Sequence, residues 1–254
     1  MPDLLRQQAE LLDLWHDVAL PELASRGPLY TGRPKACLET VRRMELWVGS
    51  MQLFRDPAHH QAAAAGARAL FELLLDIKSL ASDPDGSLLR KFQAFPEVEH
   101  FRVSQKIVDF YGRNPSSTLP DLAQRQAYVA DTARRDRIHD TCRQLWVKDP
   151  TKDPVRQWPK HWTDRGSEQR AREHGREVAE LHVLAYPQLS FYLHSGAAGV
   201  AGSDAQEEAL MGFSHTLAVQ CFLSALALLA QELSLAPVLG AIDAWARRWH
   251  DSSA

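Results

Sequence analysis

The chain has 254 residues, 45% of them hydrophobic and 24% charged, values that exclude a disordered, collagen-like or disulfide-scaffold protein. Its formal net charge of -3 at pH 7 supplies no general attraction to nucleic acid or to an anionic membrane. Leu and Ala occur 34 times each, against 14 Val, 8 Thr and 4 Ile, so residue preference favours helix throughout. The expected fold is all-α, a single helical domain over residues 1–254 built as a bundle of about eight or nine helices with a long apolar C-terminal helix.

In chain order, Leu4, Leu5, Leu11, Leu12, Trp15, Val18 and Ala19 repeat at three- and four-residue steps, which predicts an amphipathic helix that Pro21 kinks or shortens. The same N-terminal run, acidic and amphipathic from Asp3 onward, reads as neither a signal nor a transit peptide, and the expected location is the cytoplasm. After a Gly27-Pro28 turn, Pro34 starts a second helical pattern through Leu38, Val41, Met44, Trp47, Val48, Met51 and Phe54. Asp56-Pro57 ends it and caps a third helix over residues 59–81, whose middle, residues 69–77, carries apolar side chains around most of its circumference.

Asp83-Pro84-Asp85-Gly86 is a turn, Ser87 caps a further helical region, and Pro96 is expected to interrupt it before it ends near Gly112. A polar helix over residues 122–146 follows, and then a long irregular stretch from Lys148 through Trp158, His161 and Trp162 to Gly166. Ser167 is expected to cap a charged helix to residue 185, Pro187 to start a short one to His194, and Ser195-Gly196-Ala197-Ala198-Gly199 to form a connection. Residues 206–235 form a mostly apolar helix interrupted by Ser214, His215, Thr216, Gln220 and Ser224, which suits a buried central helix better than a membrane span. Pro237 opens the last helix, with Trp245 and Trp249 on one face.

Cys37, Cys142 and Cys221 are odd in number and far apart, which suits reduced thiols and excludes CxxC zinc sites. His59, His60, His100, His182, His194 and His215 lack HExxH or a convincing set of Glu-x-x-His pairs, so no metal site is assigned and metal binding stands only as a minor alternative, and no phosphate loop occurs in the Gly196 to Gly202 run. These residues do not identify a cofactor, which stays unknown at this point.

Two helical stripes carry polar groups into apolar surroundings. Arg68, Glu72 and Asp76, spaced by four, place a carboxylate where it is at least partly buried and needs Arg68 or another donor. Tyr186, Ser190 and His194, again spaced by four, present phenol, hydroxyl and imidazole on one face. Each stripe also has a purely architectural reading, as an internal ion pair in the first case and as a back-bonded serine beside a satisfied histidine in the second.

With Arg68-Ala69-Leu70-Phe71-Glu72, His161-Trp162-Thr163 and residues 186–194, the chain resembles a bacterial family of all-helical proteins catalogued as a domain of unknown function. The resemblance spans residues 60–200. It implies that Arg68, Glu72, Trp162, Tyr186, Ser190 and His194 are signature positions brought together in one bundle, and it implies no activity.

The leading functional expectation is an inter-helix polar pocket that binds or hydrolyses a small or nucleotide-like ligand. In it His194 acts as acid or base, Glu72 orients it, Arg68 holds an anion, Ser190 donates a hydrogen bond, and Tyr186 and Trp162 line or cover the ligand. Two alternatives stand beside it. One is a non-enzymatic interaction protein whose polar cluster only specifies the fold. The other is a HEPN-like ribonuclease using Arg134 and His139, which share the arginine, four residues, histidine spacing of such enzymes. Residues 131–177 hold twelve Lys/Arg against nine Asp/Glu, so a nucleic-acid patch would depend on spatial sorting.

Overall fold

A computed structural model describes residues 2–27, 30–114, 118–147, 158–194 and 204–251, with the side chains of residues 191–194 and 251 outside that description. Pro28, the loop from Lys148 to Arg156 and the run Ser195 to Gly199 lie outside the described residues. Among those described the structure is helical and contains no strand. The α-helices are α1 (Pro2–Asp13), α2 (Leu20–Ser25), α3 (Gly32–Met51), α4 (His60–Ala81), α5 (Ser87–Arg113), α6 (Leu122–Ala130), α7 (Thr132–Leu145), α8 (Ser167–Glu173), α9 (Arg176–His194), α10 (Asp204–Glu232) and α11 (Ala236–Asp251). A π-helical turn, Leu14–Ala19, joins α1 to α2 without a break, so the described residues form ten helical rods, close to the expected number.

Beside the expectation of one domain stands a finer division of the chain into two compact units, residues 1–82 with 167–254, and residues 83–166. In the first unit α4 is the centre and packs on α10, α3, α9 and α8. Its residues 62–65, 67 and 69 are alanines apart from Gly66, which favours helix and keeps its surface thin. A Cβ at Gly66 would meet the Met51 Cγ and Sδ at 2.8 Å, so this glycine is what lets α3 come so close to α4 there. Asp56 caps the start as expected, its carboxylate accepting from the Ala58 N–H at 2.9 Å.

α10 is long and apolar enough to cross a membrane, but thirteen of its residues, from Leu210 to Ala230, are buried in this unit, where it packs on α4, α3, α1 and α11. A helix apolar on all sides is what a core position requires. It ends at Ser234 (φ +53), where the Leu235 N–H bonds back to the Ala230 carbonyl at 2.8 Å, and Arg26 donates to the carbonyls of Leu233 and Ser234.

In the second unit α5 packs on α6 and α7 around Val98, Phe101, Ile138, Cys142 and Trp146. All three cysteines are buried and free.

Several expected helix ends lie elsewhere. Pro21 does not end the first helix, which runs through the π turn before it into α2 and stops at Ser25. Pro96 and Pro187 are carried inside α5 and α9. The breaks fall instead at Asp131, whose side chain accepts from the Arg134 N–H at 3.0 Å and splits the expected 122–146 helix, and at Gly175 (φ +100), which separates α8 from α9. Ser87 is the first residue of α5, and the capping is done by Asp85, which accepts from the Ser87 N–H at 2.9 Å, and by Asp83, which accepts from the Leu89 N–H at 2.8 Å.

Candidate functional site

The two stripes meet where α4 packs on α9. Arg68 donates from Nη2 to the Tyr186 hydroxyl at 2.8 Å, and that hydroxyl donates to Glu72 Oε1 at 2.7 Å. The second Glu72 oxygen accepts from Arg170 Nη2, while Arg170 Nη1 donates to Asp76 Oδ1 at 2.7 Å. One chain of charge-assisted bonds therefore links Arg68, Tyr186, Glu72, Arg170 and Asp76 across α4, α8 and α9. Arg170 is 2% exposed and Glu72 29%, so the network has a dry interior end and an end open to water.

Helix spacing explains the fork. Glu72 and Asp76 lie one turn apart on α4, so their carboxylates stack at a separation that the two outer nitrogens of one guanidinium can span. The donor needed by Glu72 is thus Arg170, together with the Tyr186 phenol, whereas Arg68 is bonded to the phenol. The Tyr186 ring is held on its own terms: it stacks on His182 at 4.7 Å and 16°, and the Arg68 guanidinium carbon lies 4.8 Å from its centroid. His182 Nε2 lies 3.1 Å from Ser167 Oγ, and burial holds the pKa of this imidazole below its ordinary value, against the opposing fields of Glu168 and Glu72.

Ser190, one turn beyond Tyr186, has a buried hydroxyl with no hydrogen-bond partner, so the expected alternative of a back-bond to its own helix does not hold. His194 is the last residue of α9, and its side chain lies outside the described residues. The expected meeting of Glu72 with His194 is therefore left to proposal.

Trp162 is buried in the second unit, its ring edge-on to Phe92 at 5.2 Å and its carbonyl accepting from Trp146 Nε1 at 2.8 Å. Asp164, two residues on, takes φ +57, a left-handed conformation that Asp tolerates better than most side chains. Arg134 is engaged at the α6–α7 break, with its guanidinium 3.3 Å from Asp131 and its centre 4.4 Å from the Tyr128 centroid. His139 packs on Trp158 and Phe101. The first contact holds the partly exposed α6–α7 break, and the second lies against the core of the second unit.

Of the histidines considered as ligands, His215 is fully buried, with Nδ1 2.9 Å from Gln8 Nε2 and Nε2 3.0 Å from the Phe54 carbonyl. Among the described residues no three His, Cys, Asp or Glu side chains gather as a metal would require.

Arg170 is the member of the network that sequence reasoning missed, and His182, weighed there only as a metal ligand, instead stacks on Tyr186. Arg170 stands in a run where charged residues alternate, and nothing in its spacing separates it from Arg165 or Arg172. The only available signal is indirect: two acids one turn apart on an apolar helix demand a forked donor from another element.

Residues 49–208 match the family of unknown function DUF5677. The chain belongs to this family. The DUF5677 region contains every member of the network, from Arg68 to Tyr186, together with Ser190, and leaves out α1, α2, α11 and most of α3 and α10. Comparison with curated proteins and with solved structures finds no match.

Proposed function

We propose that α4 and α9 present a binding site for a small or nucleotide-like polar ligand. In this reading Ser190 donates a hydrogen bond, Arg68 holds an anionic group, and Glu72, tied to Tyr186 and Arg170, orients the site. His194, one turn past Ser190 in helix register, is the acid or base that hydrolysis of the ligand would use. Trp162 belongs to the other unit and has no part in this proposal.

The observation that carries the reading is the Ser190 hydroxyl. The Tyr186 hydroxyl both accepts and donates, and both Glu72 oxygens are bonded, so these groups are satisfied from within. Ser190 is buried at its polar atom without a partner, an arrangement that costs stability unless something else supplies the bond. A second reading, in which the network only specifies the fold, is favoured by that same mutual satisfaction. It predicts that Ser190 is dispensable.

Substitution of Ser190 separates the two. Ser190→Ala removes an unpartnered oxygen, so its melting temperature is expected to equal or exceed that of the wild type. Titration of the wild type with adenosine and guanosine mono- and triphosphates and with inorganic phosphate should detect binding. Ser190→Ala and Arg68→Ala should each weaken it at least about tenfold, or ~1.4 kcal/mol. Failure of every one of these probes to bind the wild type, or unchanged affinity in both variants, overturns the proposal.

A further inference from the structure

Outside the residues of the family match, a groove of about 660 Å³ opens between α2 and the first half of α3, within the first unit. Helix spacing explains its walls. Leu20, Leu23 and Ala24 stand at three- and four-residue steps on α2, and Lys35, Leu38, Glu39 and Arg42 do the same on α3, so each helix turns one stripe to the groove. The volume is that of a small-molecule site.

The two stripes differ in chemistry. The α2 wall is entirely apolar, with Leu20 and Ala24 still open to water above the buried Leu23, and the buried Leu38 extends this surface onto α3. The charges of the groove stand on the α3 wall. Lys35 Nζ lies 3.7 Å from Glu39 Oε1, so these two offset each other. Arg42, one turn beyond Leu38, is exposed, and among the described residues it has neither an acid paired with it nor a hydrogen bond.

An exposed arginine by itself is a solvated group, and an apolar groove by itself selects no ligand. Here one cavity has both on its walls, with Leu38 and Arg42 at adjacent turns of α3. A sugar or a zwitterion would leave the leucines wet, and a neutral hydrocarbon would leave Arg42 unmatched. A molecule with an anionic head and an aliphatic chain meets both walls.

From this arrangement we infer that the α2–α3 groove binds a single-chain amphipathic anion of the fatty-acid kind. Its carboxylate pairs with Arg42, whose planar guanidinium can take both oxygens, and its alkyl chain covers Leu20, Leu23, Ala24 and Leu38.

Calorimetric titration of the full chain with octanoate, decanoate and dodecanoate, each below its critical micelle concentration, tests this. One molecule should bind per chain, with affinity rising about two- to fourfold for each added methylene as the leucines are covered. Dodecyltrimethylammonium, which has the same chain and the opposite charge, should bind at least about tenfold more weakly than dodecanoate. Arg42→Gln should keep the wild-type melting temperature and lose about fivefold in affinity for dodecanoate. Ala24→Trp, which fills the groove from an exposed position, should also keep the melting temperature and lose at least about tenfold. The inference is overturned by absence of dodecanoate binding, by affinity that does not rise with chain length, by equal binding of the cationic amphiphile, by uptake of several molecules per chain, or by unchanged affinity in either variant. Both substitutions are at exposed positions, so a fault in the folding of one leaves the other to decide.

Discussion

Arg170 holds two carboxylates from the dry side of the network, and its cost of removal follows from its burial. With the guanidinium gone, Glu72 and Asp76 face each other one turn apart without their shared cation, Asp76 with little access to water. Breaking a buried charged pair typically costs ~3 to 5 kcal/mol. Glu72 regains part of its hydration, so Arg170→Met is expected at the lower end of that range, measured by urea unfolding monitored by circular dichroism. Arg170→Lys keeps the charge and loses the fork, and should fall between Met and wild type. The partly buried Glu72 and its need for a donor were legible in the sequence from the apolar residues around it. Its donor was not, because Arg170 comes from another helix nearly a hundred residues away and reaches Glu72 only through the packing of α8 against α4.

At the scale of the element, Pro96 was expected to interrupt a helix and Pro187 to start one, yet both lie inside continuous helices. A proline removes one backbone bond and crowds the preceding turn, a local cost of ~3 kcal/mol relative to alanine that packing on both sides of it can outweigh. Pro96 tests this, since it is exposed and makes no contribution to the buried core of the second unit. Pro96→Ala restores the N–H and should stabilise this unit by up to ~3 kcal/mol, read as a rise in its unfolding midpoint and slower amide exchange in α5. The breaks that do occur have side-chain or backbone causes: the Asp131 carboxylate that caps α7, and Gly175 in a conformation that other residues avoid. Asp and Gly are common enough within helical patterns that their presence alone does not mark a break.

At the scale of the first unit, His215 ties three elements together, joining α10 to Gln8 of α1 and to the Phe54 carbonyl between α3 and α4. Burial holds its pKa below the ordinary value, opposed by the bond to Phe54, and His182 is shifted in the same direction. The unfolded chain therefore takes up protons first as the pH falls. Stability is full above the unfolded value near ~6.5 and is lost on acidification toward the lowered folded value. Urea unfolding across about pH 5 to 7 should show this loss, and His215→Gln, which retains a donor and an acceptor, should flatten the slope while lowering stability at neutral pH. A wild-type slope of zero over that interval would contradict the assignment of His215 as a buried neutral group.

Composition and periodicity were sufficient for the all-α class, the apolar character of α10 and the polar stripes of α4 and α9, because these depend on residues three and four apart on one helix. The Asp56 cap was legible for the same reason, since its bond closes over two residues. Tertiary packing decided the rest: which arginine forks between Glu72 and Asp76, that Ser190 is left without a partner, and that His215 meets Gln8 and the Phe54 carbonyl. Such pairings join residues far apart in the chain, 98 positions for Arg170 with Glu72 and 207 for Gln8 with His215. A one-dimensional pattern records what each helix must bury, and only the assembled helices determine which group it meets.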